Sequence, residues 1–468
     1  LKKKKLHIIL INSPLFRDTN PLYDEDSLPP IGLGYIGTHL TDNGVDVTLI
    51  DAIASRIPLQ DLINRIEKIQ PEFVGINVFT TNYELVKELV ESLTITTHII
   101  VGGLSTKELY QDIFKWNTKN KIDIVTGDGE YISLAIINNK IEQEPLASVP
   151  NKNVYVVDTS SKYYVKSLNF LKLDRTFFIN EPTIHPLGFK EVNIVTSRGC
   201  IFNCAFCAAA YGQNKNFGIR ERSIDSVREE LEGIKNNSKN VSSIRVLDDL
   251  FLKSKRHIKY AIDVFKPFDF SWRSMAHVQT FKGVPLEDIV QLKQSGCEEL
   301  FIGVESGSPK ILKSINKTSN VDVILNNLTN VLKAGIAIKA YFIYGFPDET
   351  LEDMEMTYQL AYKLSEVAKE NNTHFRTSVF QYRPYHGTAI YEALLDEGHM
   401  SQRITSIIPD DKLSGLVNRL QYNFHSGNYS KVCLETLHSY ICKTTKLNST
   451  KLFENLQDTN KSEEVKSM

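Results

Sequence analysis

Only two tryptophans, five methionines and six cysteines occur among 468 residues. Six cysteines in so long a chain are too few for the disulfide framework of a small secreted fold. No apolar run approaches the ~18 residues that a membrane-spanning helix needs. No basic, apolar and small-residue regions follow one another as in a secretory signal. A surplus of one charge is missing too: 54 Lys and Arg against 56 Asp and Glu leave a net charge of −2. That balance carries no nucleic-acid footprint, and the run Lys2–Lys5 is too short for a membrane patch. These absences point to the reducing cytosol, with neither nucleic acid nor membrane as a partner. No solenoid-type internal repeat is found. What the chain does have is 42% hydrophobic residues, enough for real cores, and a length that suits two or three domains of ~150 residues.

The cysteines are unevenly spread. Cys297, Cys433 and Cys442 stand apart, while the other three share the stretch Thr-Ser-Arg-Gly-Cys200-Ile-Phe-Asn-Cys204-Ala-Phe206-Cys207. Clustered thiolates are soft ligands and select zinc, copper(I) or an iron–sulfur cluster. Structural zinc takes four protein ligands, and apart from these three no Cys or His lies between His185 and His257. A four-iron cube on three cysteines leaves one iron open for a further ligand. The competing reading is a structural metal knuckle.

Ahead of this stretch, apolar runs of strand length alternate with segments of helical spacing. Strands are expected at residues 6–15, 45–51, 73–79, 98–101 and 122–126, with helices between them. Such alternation implies an open, doubly wound parallel sheet over residues 1–145. Ligands of these sheets bind at the carboxyl ends of the strands. Those ends carry Asn12-Ser13, Thr80-Thr81, Gly102-Gly103 and Gly127-Asp-Gly-Glu130, small residues that let backbone approach a large flat ligand. Ordinary tight turns would use the same residues. Residues 146–190, punctuated by prolines, read as a linker.

From residue 191 the alternation restarts and gives six strand–helix repeats up to residue 390. Six repeats imply a partial (β/α)6 TIM-like barrel, since a closed barrel of eight typically takes ~250 residues. Polar residues recur at the expected strand ends: Asp248-Asp249, Arg273, Glu305-Ser306, Asp348-Glu349, Gln381 and Arg383. Barrel enzymes place their active residues at such ends. Residues 391–468 read as a small helical C-terminal region, with helices near 389–397, 411–424 and 429–446 and a disordered tail.

The spacing Cys-x3-Cys-x2-Cys, with Phe206 before the third cysteine, resembles the signature of radical S-adenosylmethionine (SAM) enzymes. Leu-Asp-Asp-Leu-Phe, Phe-Ile-Gly-Val-Glu-Ser-Gly-Ser and Tyr-Gly-Phe-Pro-Asp-Glu-Thr resemble the signatures that follow it. The alternating domain in front, with Pro-Pro-Ile-Gly-Leu-Gly-Tyr-Ile-Gly, Val-Gly-Gly and Gly-Asp-Gly-Glu, resembles the cobalamin-binding domain of the B12-dependent members. The resemblance covers residues 1–390. It implies a [4Fe–4S] cluster on Cys200, Cys204 and Cys207, with SAM on the open iron. Phe206 would face the adenine of SAM, Asp248 its amino group and Glu305 its ribose hydroxyls, with Ser306 nearby. It implies cobalamin over Asn12, Ser13, Thr80, Thr81, Gly102, Gly103, Gly127 and Glu130. The Asp-x-His-x-x-Gly motif that ligates cobalt in some B12 proteins is absent, so cobalt is expected to lack that histidine.

The function implied is a cobalamin-dependent methyltransferase acting on an unactivated carbon of a small-molecule or natural-product substrate through a 5′-deoxyadenosyl radical. An electron donor such as flavodoxin or ferredoxin is implied as a partner. The alternatives are a rearrangement or cyclisation with the same cofactors, or a radical SAM enzyme whose first domain no longer binds cobalamin. A methylthiotransferase is disfavoured because no cysteine precedes Cys200.

Overall fold

The first apolar run is a strand, β1 (His7–Asn12), and it is apolar at every interior position because both its faces are covered. Ile9 and Ile11 join one buried cluster with helix residues such as Leu62, Ile66 and Val86. Ile8 and Leu10 join a second, with Leu40, Ile132 and Ile136. A strand buried on both faces is the mark of a parallel sheet between helical layers. The computed structural model describes residues 5–13, 28–184, 188–237, 240–318, 320–398, 400, 408–409, 424–425 and 428–447. The chain divides into two units, residues 1–181, 206–221 and 384–425 in one, and 182–205, 222–383 and 426–468 in the other.

In the first unit the elements run β1, α1 (Ile31–Asp42), β2 (Asp46–Asp51), α2 (Leu59–Ile69), β3 (Phe73–Asn77), α3 (Tyr83–Ser92), β4 (His98–Gly102), α4 (Thr106–Ile113), β5 (Lys121–Gly127), α5 (Glu130–Ile137), β6 (Ala147–Val149) and β7 (Lys152–Val157). The sheet order is β2-β1-β3-β4-β5-β7-β6. Strand β7 is parallel to β5, and β6 is antiparallel to β7. The linker expected over 146–190 therefore begins as sheet: Lys152, Val154, Tyr155 and Val157 are buried, and they extend the core to Val157. The later part of that segment lies on α1. A Cβ at Gly34 would stand 2.4 Å from the Phe178 ring, and one at Gly37 3.2 Å from Phe177. These two helix glycines admit aromatic rings.

The second unit carries β8 (Thr183–Ile184), β9 (Lys190–Ile194), α6 (Ile224–Asn237), β10 (Ser243–Val246), α7 (Lys255–Phe265), β11 (Ser271–Ala276), α8 (Leu286–Gln294), β12 (Cys297–Glu305), α9 (Pro309–Ser314), α10 (Val321–Lys333), β13 (Ala337–Tyr344), α11 (Leu351–Glu370), β14 (Phe375–Gln381) and α12 (Leu434–Thr445). The order β14-β13-β12-β11-β10-β9-β8 leaves the barrel open between β14 and the short β8. Strands β9 to β14 are parallel and β8 is antiparallel to β9. Arg273 is not at a strand end as expected. It lies in the body of β11, where it donates to both Glu191 oxygens at 2.6 and 2.7 Å. Glu299 receives Arg376 at 2.6 and 2.8 Å. Buried guanidinium–carboxylate pairs of this kind hold only because both oxygens are satisfied. Of the helices expected after residue 391, Ala389–Asp396 and α12 are present. The expected helix at 411–424 and the tail lie outside the described residues. None of the described helices is long and apolar enough to cross a membrane.

Candidate functional site

Strand β9 delivers the cysteine loop, and the loop is fixed at its root. Asp248, just past β10, accepts from Thr196 N at 2.7 Å, Thr196 Oγ1 at 2.6 Å and Ser197 Oγ at 2.7 Å. Lys253 adds a 2.8 Å bond to Ser197 Oγ. Burial pushes the Asp248 carboxyl up, and the hydrogen bonds from Thr196 and Ser197 pull the other way. The carboxylate expected at the SAM amino group is thus engaged in bracing the loop. Its neighbour Asp249 accepts from Gly199 N at 2.9 Å and stays exposed.

Cys204 is held from the other side by the turn that follows α9. Ala205 N donates to Ile315 O at 3.0 Å, and Asn316 Nδ2 donates to Asn203 O at 2.7 Å. Next in that turn, Lys317 donates to Gly303 O at 2.6 Å and to Glu305 Oε1 at 2.7 Å. A Cβ at Gly303 would lie 2.3 Å from Glu305 Oε1 and 2.8 Å from Lys317 Nζ, so any larger residue there would push the ends of this pair aside. Glu305, Asn316 and Asp348 all take left-handed backbone, at φ 67°, 59° and 61°. Three such residues at one barrel rim store local strain, which concentrates at working sites. Glu305 thus stands at the end of β12 with Oε1 on an ammonium. Ser306 is turned inward: its hydroxyl pairs with Thr357 Oγ1 at 2.9 Å and accepts from Ser308 N at 3.1 Å.

None of the three cysteines forms a disulfide, and each is partly exposed. Phe206 and Cys207 open the segment 206–221 that belongs to the first unit. Burial raises the Cys200 and Cys204 thiols, so a bound metal would have to draw the protons off. Among the described residues no three His, Cys, Asp or Glu converge closely enough to hold a single ion. Three thiols and no histidine among the near neighbours in sequence are a donor set that suits an iron–sulfur cluster with one iron left open.

Two residues that sequence reasoning passed over also belong here. Phe202, between Cys200 and Cys204, stacks on His277 with ring centroids 3.7 Å apart. His277 follows β11, and its Nδ1 accepts from Gln279 N at 3.1 Å. A histidine at the carboxyl end of a barrel strand was the available signal.

In the first unit the strand order reverses between β1 and β3, which sets the ligand crevice there. The expected groove at Thr80, Thr81 and Gly102-Gly103 lies one strand further along. The crevice is built by side-chain amides: Asn12 Nδ2 donates to Asp51 Oδ1 at 2.9 Å, Asn77 Nδ2 to Asn12 Oδ1 at 3.0 Å, and Ser13 N to Asn77 Oδ1 at 3.1 Å. Asn82 Nδ2 donates to Ser13 Oγ at 3.0 Å. Thr80 Oγ1 meets His386 Nδ1 at 3.0 Å, and Thr81 is half-buried. Glu130 is buried in the first turn of α5.

The glycines divide. A Cβ at Gly103 would lie 2.6 Å from Val78 O, and one at Gly127 2.3 Å from Val157 O. Both positions also have positive φ, so the fold itself demands them. Gly102 meets nothing nearer than 4.0 Å and keeps room for a ligand.

Residues 25–137 match the B12 binding domain and residues 194–361 match the radical SAM superfamily. An uncharacterized methyltransferase of Pyrococcus horikoshii is 28% identical over 365 residues, spanning 72% of this chain and 73% of that protein. The bacteriochlorophyllide d C-12(1)-methyltransferase of Chlorobaculum tepidum is 27% identical over 230 residues, 48% of this chain and 46% of that one. Among solved structures, the cobalamin-dependent SAM radical enzyme OxsB shares the fold with a TM-score of 0.64 at 16% identity, over 92% of this chain and 65% of OxsB. The chain thus spans about half of the bacteriochlorophyllide enzyme and just under two thirds of OxsB. A [4Fe–4S] cluster and SAM follow from the radical SAM domain, and cobalamin from the domain before it. The chain thus carries a B12 binding domain followed by a radical SAM domain, on a fold shared with OxsB.

Proposed function

We propose that the protein is a cobalamin-dependent radical SAM methyltransferase acting on an unactivated carbon of a small molecule. The carrying observation is the order of the two domains: a B12-binding domain followed by a barrel whose first loop presents three thiols. Two relatives named as methyltransferases support it. When bound, the cluster and SAM supply a radical able to remove a hydrogen atom, and cobalamin supplies the methyl group.

The chain's own residues do the positioning. Cys200, Cys204 and Cys207 hold the cluster, and Phe206 lies against the adenine. Asp248 braces the cysteine loop, which leaves the exposed Asp249 as acceptor for the SAM amino group. Glu305 keeps Oε2 for the ribose hydroxyls while Lys317 holds Oε1. Asn12, Ser13, Thr81 and Gly102 border the cobalamin crevice. The single electron comes from a donor such as flavodoxin or ferredoxin.

The test needs no substrate. Protein reconstituted anaerobically with cluster and cobalamin is reduced with a low-potential chemical reductant, so that cobalt(I) can take the methyl cation and release S-adenosylhomocysteine; it is incubated with SAM labelled on its methyl group, and the corrin is then extracted. Label on the corrin is the expected result, with Cys204→Ser as the control for cluster loss. Corrin that binds but never gains label would favour rearrangement or cyclisation. A protein that takes up no corrin would overturn the reading.

A further inference from the structure

Cys207 is the last of the three clustered cysteines, and its stretch of backbone belongs to the first unit. Ala210 N donates to Cys207 O at 3.1 Å and closes a turn on the cysteine. Asn214 ends the single helical turn Tyr211–Asn214 that follows. Its Nδ2 donates to Ala208 O and Ala210 O, both at 2.8 Å, which fixes the turn from outside. Its Oδ1 accepts from Lys107 Nζ at 3.1 Å, and Gln213 O lies 3.4 Å from the same ammonium. Asn214 thus joins the cysteine turn to Lys107.

Lys107 lies within the match to the B12 binding domain, in the first turn of α4. The loop before it, Gly103-Leu104-Ser105, carries the chain from the end of β4 into that helix. Ser105 Oγ accepts from Thr80 N at 3.1 Å, and Thr106 Oγ1 lies 2.8 Å from Gly103 O. The loops after β3 and β4 are therefore tied to one another and to the start of α4. Nothing in the helix itself favours a cation at this position. The first turn is the positive end of the helix dipole. The Lys107 side chain is only 15% exposed, and burial pulls its pKa down more than Glu108, 3.9 Å away, pushes it up. Its bonds to Asn214 and Gln213 account for its place. A continuous bonded path thus runs within the first unit from the end of β3, through Ser105, Lys107 and Asn214, to Cys207.

Resting on the cofactor reading above, we propose that Lys107 and Asn214 are positioning residues for Cys207, and that through them corrin binding and cluster loading favour each other. A corrin over Thr81 and Gly102 holds the loops after β3 and β4 in one arrangement. That arrangement sets the first turn of α4, and with it Lys107, Asn214 and the turn at Cys207. Coupling of this kind travels through contiguous bonded elements. It is also reciprocal, so a loaded cluster raises the affinity for cobalamin.

The test measures cobalamin affinity by anaerobic equilibrium dialysis of the full-length protein, with and without reconstituted cluster. The readout is the ratio of the two affinities, in which general damage to the crevice cancels. Cluster-loaded parent should bind about tenfold more tightly than parent without cluster, within the usual range of such couplings. Lys107→Met keeps the stem and loses the ammonium. Asn214→Leu loses the bonds at both ends. Each should bring the ratio close to one. Lys107→Arg can reach the same acceptors and should restore most of the parent's ratio, which a merely structural lysine would not predict. A ratio of one in the parent overturns the inference, and so do Met and Leu variants that keep the parent's ratio. A parent that loads no cluster overturns the radical SAM reading instead. One that takes up no cobalamin in either state overturns the cobalamin reading.

Discussion

Glu349 is fully buried, with one carboxylate oxygen accepting from Gly345 N and Phe346 N. Burial outweighs those two donors and raises its pKa to about 8 from 4.5. In the unfolded chain the group ionises near its ordinary value, while in the fold it stays protonated. Stability from this residue is therefore complete below about pH 4.5 and is lost as pH rises towards about 8. Glu349→Gln keeps an acceptor for both backbone donors and cannot ionise. Urea unfolding of parent and variant at pH 5 and pH 9 should show the parent losing stability relative to the variant at the higher pH. A constant difference would disprove a buried neutral carboxyl.

Glu349 also shows what residue types conceal. In the sequence, Asp348-Glu349 is a polar pair at a strand end, fit for a surface or a ligand. The structure exposes Asp348 and encloses Glu349 completely. The same holds for Asp248: its place at a strand end was legible, but its three hydrogen bonds depend on where Thr196 and Ser197 come to rest. For His277 the strand-end position is legible in the sequence, but its stacking on Phe202 and its bond from Gln279 N depend on the fold.

At the level of elements, the alternation of strand and helix was readable because parallel strands buried on both faces must be apolar along their length. Strand β7 was missed because it opens with Lys152, whose ammonium is buried on the carbonyls of Phe114 and Trp116. A charged residue that ends up capping a helix looks like loop in a sequence. The strand-end glycines misled in the same way. In the sequence Gly103 and Gly127 look like openings for a flat ligand, yet neighbouring backbone fills the space where a side chain would go. A bulky residue at 103 would fail for reasons of fold, whatever the ligand. Gly102 is the usable probe. Gly102→Leu should leave the cluster and thermal stability near the parent's and abolish cobalamin uptake, read from the visible spectrum after desalting. A Leu variant that holds cobalamin as tightly as the parent would move the ligand away from β4.

Across the whole molecule, the chain passes between the two units five times, at residues 181–182, 205–206, 221–222, 383–384 and 425–426. Domains strung on one linker can melt one after the other. Here each unit is built from three separate stretches of chain, and the loop with the three cysteines is itself divided between them. Segment 206–221 is tied into the first unit by Arg220, whose guanidinium is bonded to Asp128 and Val165 O and lies 4.3 Å over the Tyr164 ring. Lys107 adds a bond to Asn214 Oδ1 at 3.1 Å. Loss of either unit's fold would therefore release chain that the other needs, and the two should unfold as one. The scarcity of tryptophan supplies the probes. Trp116 is buried in the first unit against Tyr83, and Trp272 in the second, stacked on Phe265 at 4.7 Å. Trp116→Phe and Trp272→Phe each leave one reporter, in the opposite unit. Each variant carries its own loss of stability, so each is followed by fluorescence and by far-ultraviolet circular dichroism together. In each variant the single tryptophan should report the same urea midpoint as the backbone signal of the whole chain. Separated midpoints in either variant would mean that the crossings do not couple the units.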